Sequence, residues 1–131
     1  MGYKYGEEGG GGLTTQAEIT ERRRKNGPQG QLKIREGTRL IASHAFSSCV
    51  AITAIYLPNS VISIGYNAFE YCEGLTSIVI PKSVTNLGAS AFYECRNLSS
   101  VIIESPNLRD CSFDKYFYGC NNLKESNVIY R

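Results

Sequence analysis

The chain reads as a solenoid of short parallel β-strands stacked with tight turns, preceded by a short helix. Three observations predict this. A phenylalanine followed three residues later by a cysteine occurs four times, as Phe46/Cys49, Phe69/Cys72, Phe92/Cys95 and Phe117/Cys120. The steps between them are 23, 23 and 25 residues. An aliphatic residue follows each cysteine after three more positions, at Ile52, Leu75, Leu98 and Leu123. A fixed period of this length marks units that bury their apolar sides only against their neighbours.

Residues 1–12, with Glu7-Glu8 and the run Gly9 to Gly12, have the composition of a flexible arm. Residues 13–30 hold a helix and a linker. Thr15-Gln-Ala-Glu18 fits a capping box, in which each end's side chain satisfies the other's backbone donor. A helix from about Gln16 to Lys25 gains Glu18–Arg22 and Glu21–Lys25 pairs at four-residue spacing. Asn26-Gly-Pro28 stops it. Ala17 and Ile19 are its only apolar residues, so it covers the first repeat thinly.

Residues 31–131 form the repeats, about four units with an incomplete last strand. With Leu75-Thr-Ser-Ile-Val-Ile-Pro81 as template, the preceding unit gives Ile52-Thr-Ala-Ile-Tyr-Leu-Pro58 and the following one Leu98-Ser-Ser-Val-Ile-Ile-Glu104. Val61/Val84, Ile64/Leu87, Gly65/Gly88 and Ala68-Phe69/Ala91-Phe92 continue the register. The first unit lacks the proline but keeps Leu32, Ile34, Ile41, Ala45 and Phe46. Each unit thus holds a β-branched strand, a turn with Gly or Pro, and a tight Ala-Phe-x-x-Cys turn. The spacing Leu75, Ile78, Ile80 matches L-x-x-L-x-L. In the fourth unit the loop 104–116 carries two extra residues, and Tyr116 replaces the alanine before Phe117.

On SIVIPKSVTNLGASAFYEC and AIYLPNSVISIGYNAFEYC, residues 31–131 resemble the BspA-like leucine-rich repeats. The resemblance implies a leucine-rich-repeat solenoid that recognises proteins, often in adhesion at the surfaces of bacteria and protists, without catalysis.

Charge and composition exclude several other classes. The net charge is +2, and from residue 31 onward nine Lys/Arg face eight Asp/Glu. No broad electrostatic footprint for nucleic acid or anionic membrane follows. There is no long apolar stretch for membrane insertion or for a signal-peptide core. If Met1 is the native start, the cytosol is expected; the cell surface is the alternative. Arg22, Arg23, Arg24 and Lys25 are the one concentrated basic feature, read first as cations in a helix's last turn and second as a nucleic-acid or phosphate contact. Asn97-Leu-Ser99 fits an N-glycosylation sequon, which matters only in a secreted chain.

No cofactor, metal or catalytic site is expected. Cys49, Cys72, Cys95 and Cys120 recur once per unit, as a buried thiol ladder would, and not as a disulfide framework. Cys-x-x-Cys is absent and His44 is the only histidine, which argues against zinc. His44 occupies the slot of Asn67 and Ser90, that of a turn residue rather than a catalytic base. Asp110 and Asp114 lie in the irregular loop without metal-ligand company. Cys111, outside the ladder, either is an exposed thiol or fills the core where the repeat breaks.

What remains is a surface. The outward strand residues Lys33, Tyr56, Val79 and Ile102 are expected in one contiguous row about 4.8 Å apart. Gln31, Ala54, Ser77 and Ser100 flank it on one side, and Arg35, Pro58, Pro81 and Glu104 on the other. The row reads either as a contact patch or as the ordinary preference of β-branched residues for strands. Three functions are carried forward: a non-catalytic protein-binding or scaffold module, a surface adhesin fragment, and a small structural subunit of a large protein or protein–RNA assembly. At the C-terminal edge Leu123, Val128, Ile129 and Tyr130 leave a partly apolar strand, a second candidate surface for a partner or for self-association.

Overall fold

In the computed structural model, residues 4–5, 18, 23–109 and 112–131 are described. The repeat carries two parallel ladders where the pattern suggested one. The first is built from the β-branched segments β2 (Gly30–Lys33), β4 (Ile52–Tyr56), β6 (Ser77–Ile80), β8 (Ser100–Ile103) and β9 (Val128–Tyr130). The second is built from two-residue strands in the glycine-containing turns, β3 (Leu40–Ile41), β5 (Ser63–Ile64) and β7 (Asn86–Leu87). β1 (Lys4–Tyr5) joins this second sheet at its first edge, giving the order β1-β3-β5-β7. The rest of the Gly-rich arm lies outside the described residues.

The second ladder exists because its inward residues, Ile41, Ile64 and Leu87, are buried, and because Gly65 and Gly88 let successive turns touch backbone to backbone. A Cβ at Gly65 would lie 2.5 Å from the Ser43 nitrogen, and one at Gly88 2.5 Å from the Gly65 carbonyl carbon. No side chain fits there.

Between the two ladders runs a single core. Phe46 and Phe69 stack with ring centroids 5.4 Å apart, Phe69 and Phe92 at 5.5 Å, and Phe92 and Phe117 at 5.7 Å. Beside them Cys72 Sγ donates to the Phe46 carbonyl (3.2 Å), Cys95 Sγ to Phe69 (3.1 Å) and Cys120 Sγ to Phe92 (3.0 Å). All four ladder cysteines are buried and reduced. The turn closes in so few residues because the residue before each Ala-Phe-x-x-Cys and the one before its cysteine lie in the left-handed region: His44 and Ser48, Asn67 and Tyr71, Ser90 and Glu94.

The fourth unit departs from the others as its two extra residues foreshadow. A 3-10 turn at Pro106–Leu108 packs on β7, with Leu108 buried and the Ser105 hydroxyl bonded to the Val84 carbonyl. The short helix α1 (Phe113–Phe117) then replaces the tight turn, which makes room for Tyr116, buried where the other units carry alanine. Phe113, half-buried, packs on Phe117 at 5.5 Å. Cys111 and Asp110 lie outside the described residues.

Candidate functional site

The outward column is where the sequence pattern places it, with one addition and one break. Lys33 pairs in register with Tyr56, and Val79 with Ile102. Ile129, not part of the expected row, pairs with Ile102 and extends it. Its signal was available in Val128-Ile-Tyr130, which repeats the strand register once more. Tyr56 is 50% exposed, Val79 43% and Ile129 48%. Ile102, flanked on both sides, is half-buried.

The row is not contiguous. No ladder joins β4 to β6 among the described residues; the main sheet is divided into β2-β4 and β6-β8-β9. Elsewhere, Ile34 N–H donates to the Tyr56 carbonyl (3.0 Å), Ser99 N–H to Thr76 (2.9 Å) and Glu104 N–H to Ile80 (2.9 Å). The positions equivalent to those donors at the break are Leu57, Thr76 and Pro81, and none bonds across it. Pro81 has no N–H to give. The result is a cleft of about 180 Å³ between the strands, lined by Ala54, Tyr56, Leu57, Ser77 and Val79, among others.

The flanking column also differs from expectation. Pro58 and Pro81 are buried, not outward. The chain leaves the strand at each proline, whose carbonyl accepts from the N–H of Val61 or Val84 three residues on. Arg35 and Glu104 remain at the two ends, Arg35 exposed and Glu104 half-buried.

The basic segment is not one patch. Residues 23–26 are helical, and Gly27 N–H closes the helix on the Arg23 carbonyl at 2.9 Å. Arg24 and Lys25 are exposed. Arg23 is 8% exposed, its guanidinium donating to the Ala45 carbonyl and to Cys49 Sγ, both at 3.2 Å. This corrects the reading of Arg23 as a surface contact: a long side chain at the open end of a stack reaches the nearest buried acceptors. Arg22 and the proposed cap Thr15 lie outside the described residues.

His44 stands on the turn edge, 58% exposed in its side chain, 3.1 Å from Glu70 Oε1. Ser47 Oγ donates to the same oxygen at 2.6 Å and Asn67 Nδ2 to Glu70 Oε2 at 2.7 Å. The carboxylate, not the imidazole, is the hub, so this is a polar rung that ties two turns together. Further along that edge Tyr93 stacks on Tyr118 at 5.8 Å and meets Tyr71 edge-on at 5.6 Å, an aromatic ladder that the repeat pattern did not single out. A groove of about 510 Å³ runs over the second sheet past Leu40, Ser63, Tyr66 and Asn86. Among the described residues no group of three His, Cys, Asp or Glu side chains is placed to hold a metal ion. No helix among them is long and apolar enough to cross a membrane.

Residues 31–130 match the family model described as the BspA type leucine rich repeat region, in six copies. Among solved structures, a leucine-rich cell surface protein from Faecalibacterium prausnitzii aligns at 28% identity and a TM-score of 0.51, over 76% of this chain and 31% of that one. The leucine-rich repeat protein of T. pallidum aligns at 20% identity and a TM-score of 0.45, over 74% of this chain and 66% of that one. The chain thus spans less than two thirds of the length of either. No curated protein matches it.

Proposed function

The chain belongs to the BspA-type leucine-rich repeat family, and from that premise we propose that it is a non-catalytic protein-binding module working through its strand face. The observation that carries this reading is the column Tyr56, Val79, Ile102 and Ile129. Its members stand outward on a face whose adjacent positions, Gln31, Ser77 and Ser100, are polar and exposed. Apolar side chains in file on a polar sheet surface fit a contact that excludes water at its centre. Lys33 adds charge at the first end. The edge of the last strand, β9, with Ile129 exposed beside it, continues this face and is the proposed place for self-association. The experiment is affinity capture with the intact chain, compared with the Tyr56→Ala/Val79→Glu double variant. Specific partners retained by the first and lost by the second support the face. An unchanged set of partners refutes it.

A second reading is adhesion at a cell surface. It is favoured by the alignment with a leucine-rich cell surface protein over 76% of this chain. Surface labelling of intact cells that express the protein tests it, with cytoplasmic retention as the opposing result. The assembly-subunit reading drew on the basic segment, which loses Arg23 to the core.

A further inference from the structure

We propose that a pocket over the turn of the fourth unit receives the helical first end of a second copy, so that copies associate head to tail. Arg24 and Lys25 of one copy then stand against the carboxylates of the other. The proposal deepens the self-association assigned to the β9 edge and rests on it. The pocket holds about 460 Å³, and Glu94, Phe113, Asp114, Tyr118, Gly119 and Asn121 are among its lining residues. Tyr118 stacks on Tyr93 with one face and is 59% exposed, so its other face borders the pocket. Gly119 leaves the Glu94 carboxylate uncovered: a Cβ there would lie 2.6 Å from Glu94 Cδ and 2.8 Å from Oε1. Arg96 takes the other oxygen, Oε2, at 3.0 Å. Asp114 is exposed and makes no ion pair with a described residue. No Lys, Arg or His is among the described residues that line the pocket. Ring faces beside carboxylates favour a guanidinium or an ammonium.

The cations that answer this pocket lie at the other end of the same Phe/Cys column. Arg23 binds the Ala45 carbonyl and Cys49 Sγ, which seats the helical residues 23–26 on the turn of the first unit. Ala45, Phe46 and Cys49 correspond in the repeat to Tyr116, Phe117 and Cys120, the turn on which the pocket lies. A copy translated along the stack therefore brings its exposed Arg24 and Lys25 over the pocket of the copy before it. The main strands permit that translation. Their pairings are parallel throughout, and among the described residues β2 and β9 each pair on one side only. β2 of the second copy can thus follow β9 without reversal. Tyr130 pairs with the buried Ile103, yet it is 39% exposed because no described rung covers its far side. In the stacked pair Ile34 of the second copy takes the next place in that column. A contact joining first end to last end is heterologous and repeats without closing.

The test uses the intact chain. Light scattering should give a mass that climbs past the dimer with concentration, and added salt should lower it. Arg24→Glu/Lys25→Glu and Asp114→Lys/Asn121→Lys change only exposed positions and should melt like the wild type. Each should weaken association by ~10-fold or more through like charges at the junction. Mixed in equal amounts the two variants should associate again, because every junction between unlike variants joins opposite charges. A mixture no stronger than either variant alone, or a mass that stops at the dimer, overturns the proposal. Equal association of the wild type and both variants would leave the β9 edge to pair in another way and remove the head-to-tail contact. A monomer at every concentration would remove both.

Discussion

Arg23 Nη1 lies 3.2 Å from Cys49 Sγ, at the first rung of the thiol column. In the later rungs each thiol donates to a phenylalanine carbonyl of the unit before it; at the first rung the sulfur instead receives a guanidinium. The same guanidinium holds the Ala45 carbonyl, so one side chain closes the bottom of the Phe/Cys core. Hydrogen bonds made by a charged group contribute roughly 1.5–3 kcal/mol, and Arg23→Ala should cost about that much in chemical denaturation. Arg23→Lys should not restore it, because both bonds come from Nη1 at the far end of the side chain, beyond the reach of the shorter lysine, whose ammonium is also more strongly hydrated. Hydrogen exchange should rise first at residues 45–49.

Phe69 is fully buried between Phe46 and Phe92, at 5.4 and 5.5 Å. Phe69→Ala removes a ring from the middle of a stack that is closed on both sides and cannot collapse easily. The expected loss is ~3–5 kcal/mol. A denaturation midpoint equal to that of the wild type would contradict the stacked core.

The thiols should make stability fall at alkaline pH. Burial pushes the Cys72 thiol far above its ordinary value of 9.0. The Cys120 sulfur beside it, with burial second, raises Cys95, and the same contact lowers Cys120. A raised folded-state value means that the native protein keeps a proton the unfolded chain releases. The stabilisation from Cys72 is therefore complete below about pH 9 and is lost as pH rises further, at about 1.4 kcal/mol per pH unit. Cys72→Val should flatten that slope by one group. Alkylation of the folded protein should begin at Cys120 and lag at Cys72 and Cys95, while reductant leaves the melting temperature unchanged. Rapid modification of Cys72 in the native state would count against a closed core.

On the strand face, Tyr56 combines the largest exposed ring with a rim position on the cleft. Contact energy concentrates in such aromatic anchors, so Tyr56→Ala should weaken partner binding by about 2 kcal/mol or more. Val79→Glu should weaken it by placing a charge at the dry centre. Both should leave the melting curve nearly unchanged, since both side chains stand outward. Binding by calorimetry with an identified partner decides the matter.

The edge of β9 makes a separate prediction. Three residues of β9 pair with β8 on one side, and Ile129 is 48% exposed beside that edge. If the edge serves self-association, light scattering of the purified chain should show a mass that rises with concentration. Ile129→Lys should return it to the monomer, because an edge lysine discourages strand pairing. A monomer at every concentration, with residues 128–130 protected from exchange, would remove this role.

Repeat arithmetic was enough to identify the core of this protein. When units of equal length stack, equivalent positions come to lie one above another, so Phe46, Phe69, Phe92 and Phe117 had to form a column, as did the cysteines, whatever the details of the turns. The outward column was legible for the same reason, because side chains alternate along a strand. Its extension to Ile129 was legible too, once the last segment is taken as another rung. Other features depend on distances between units, which no spacing along the chain encodes. Gly65 and Gly88 look like turn glycines, and only the approach of neighbouring backbones reveals a second ladder. Arg23 sits in a run of four cations, and only the place where the stack begins decides that this one turns inward. Pro58 and Pro81 end their strands alike, yet β2 and β4 pair while β4 and β6 do not. A register records which residues could meet, and the packing of whole units decides which of them come within hydrogen-bonding distance.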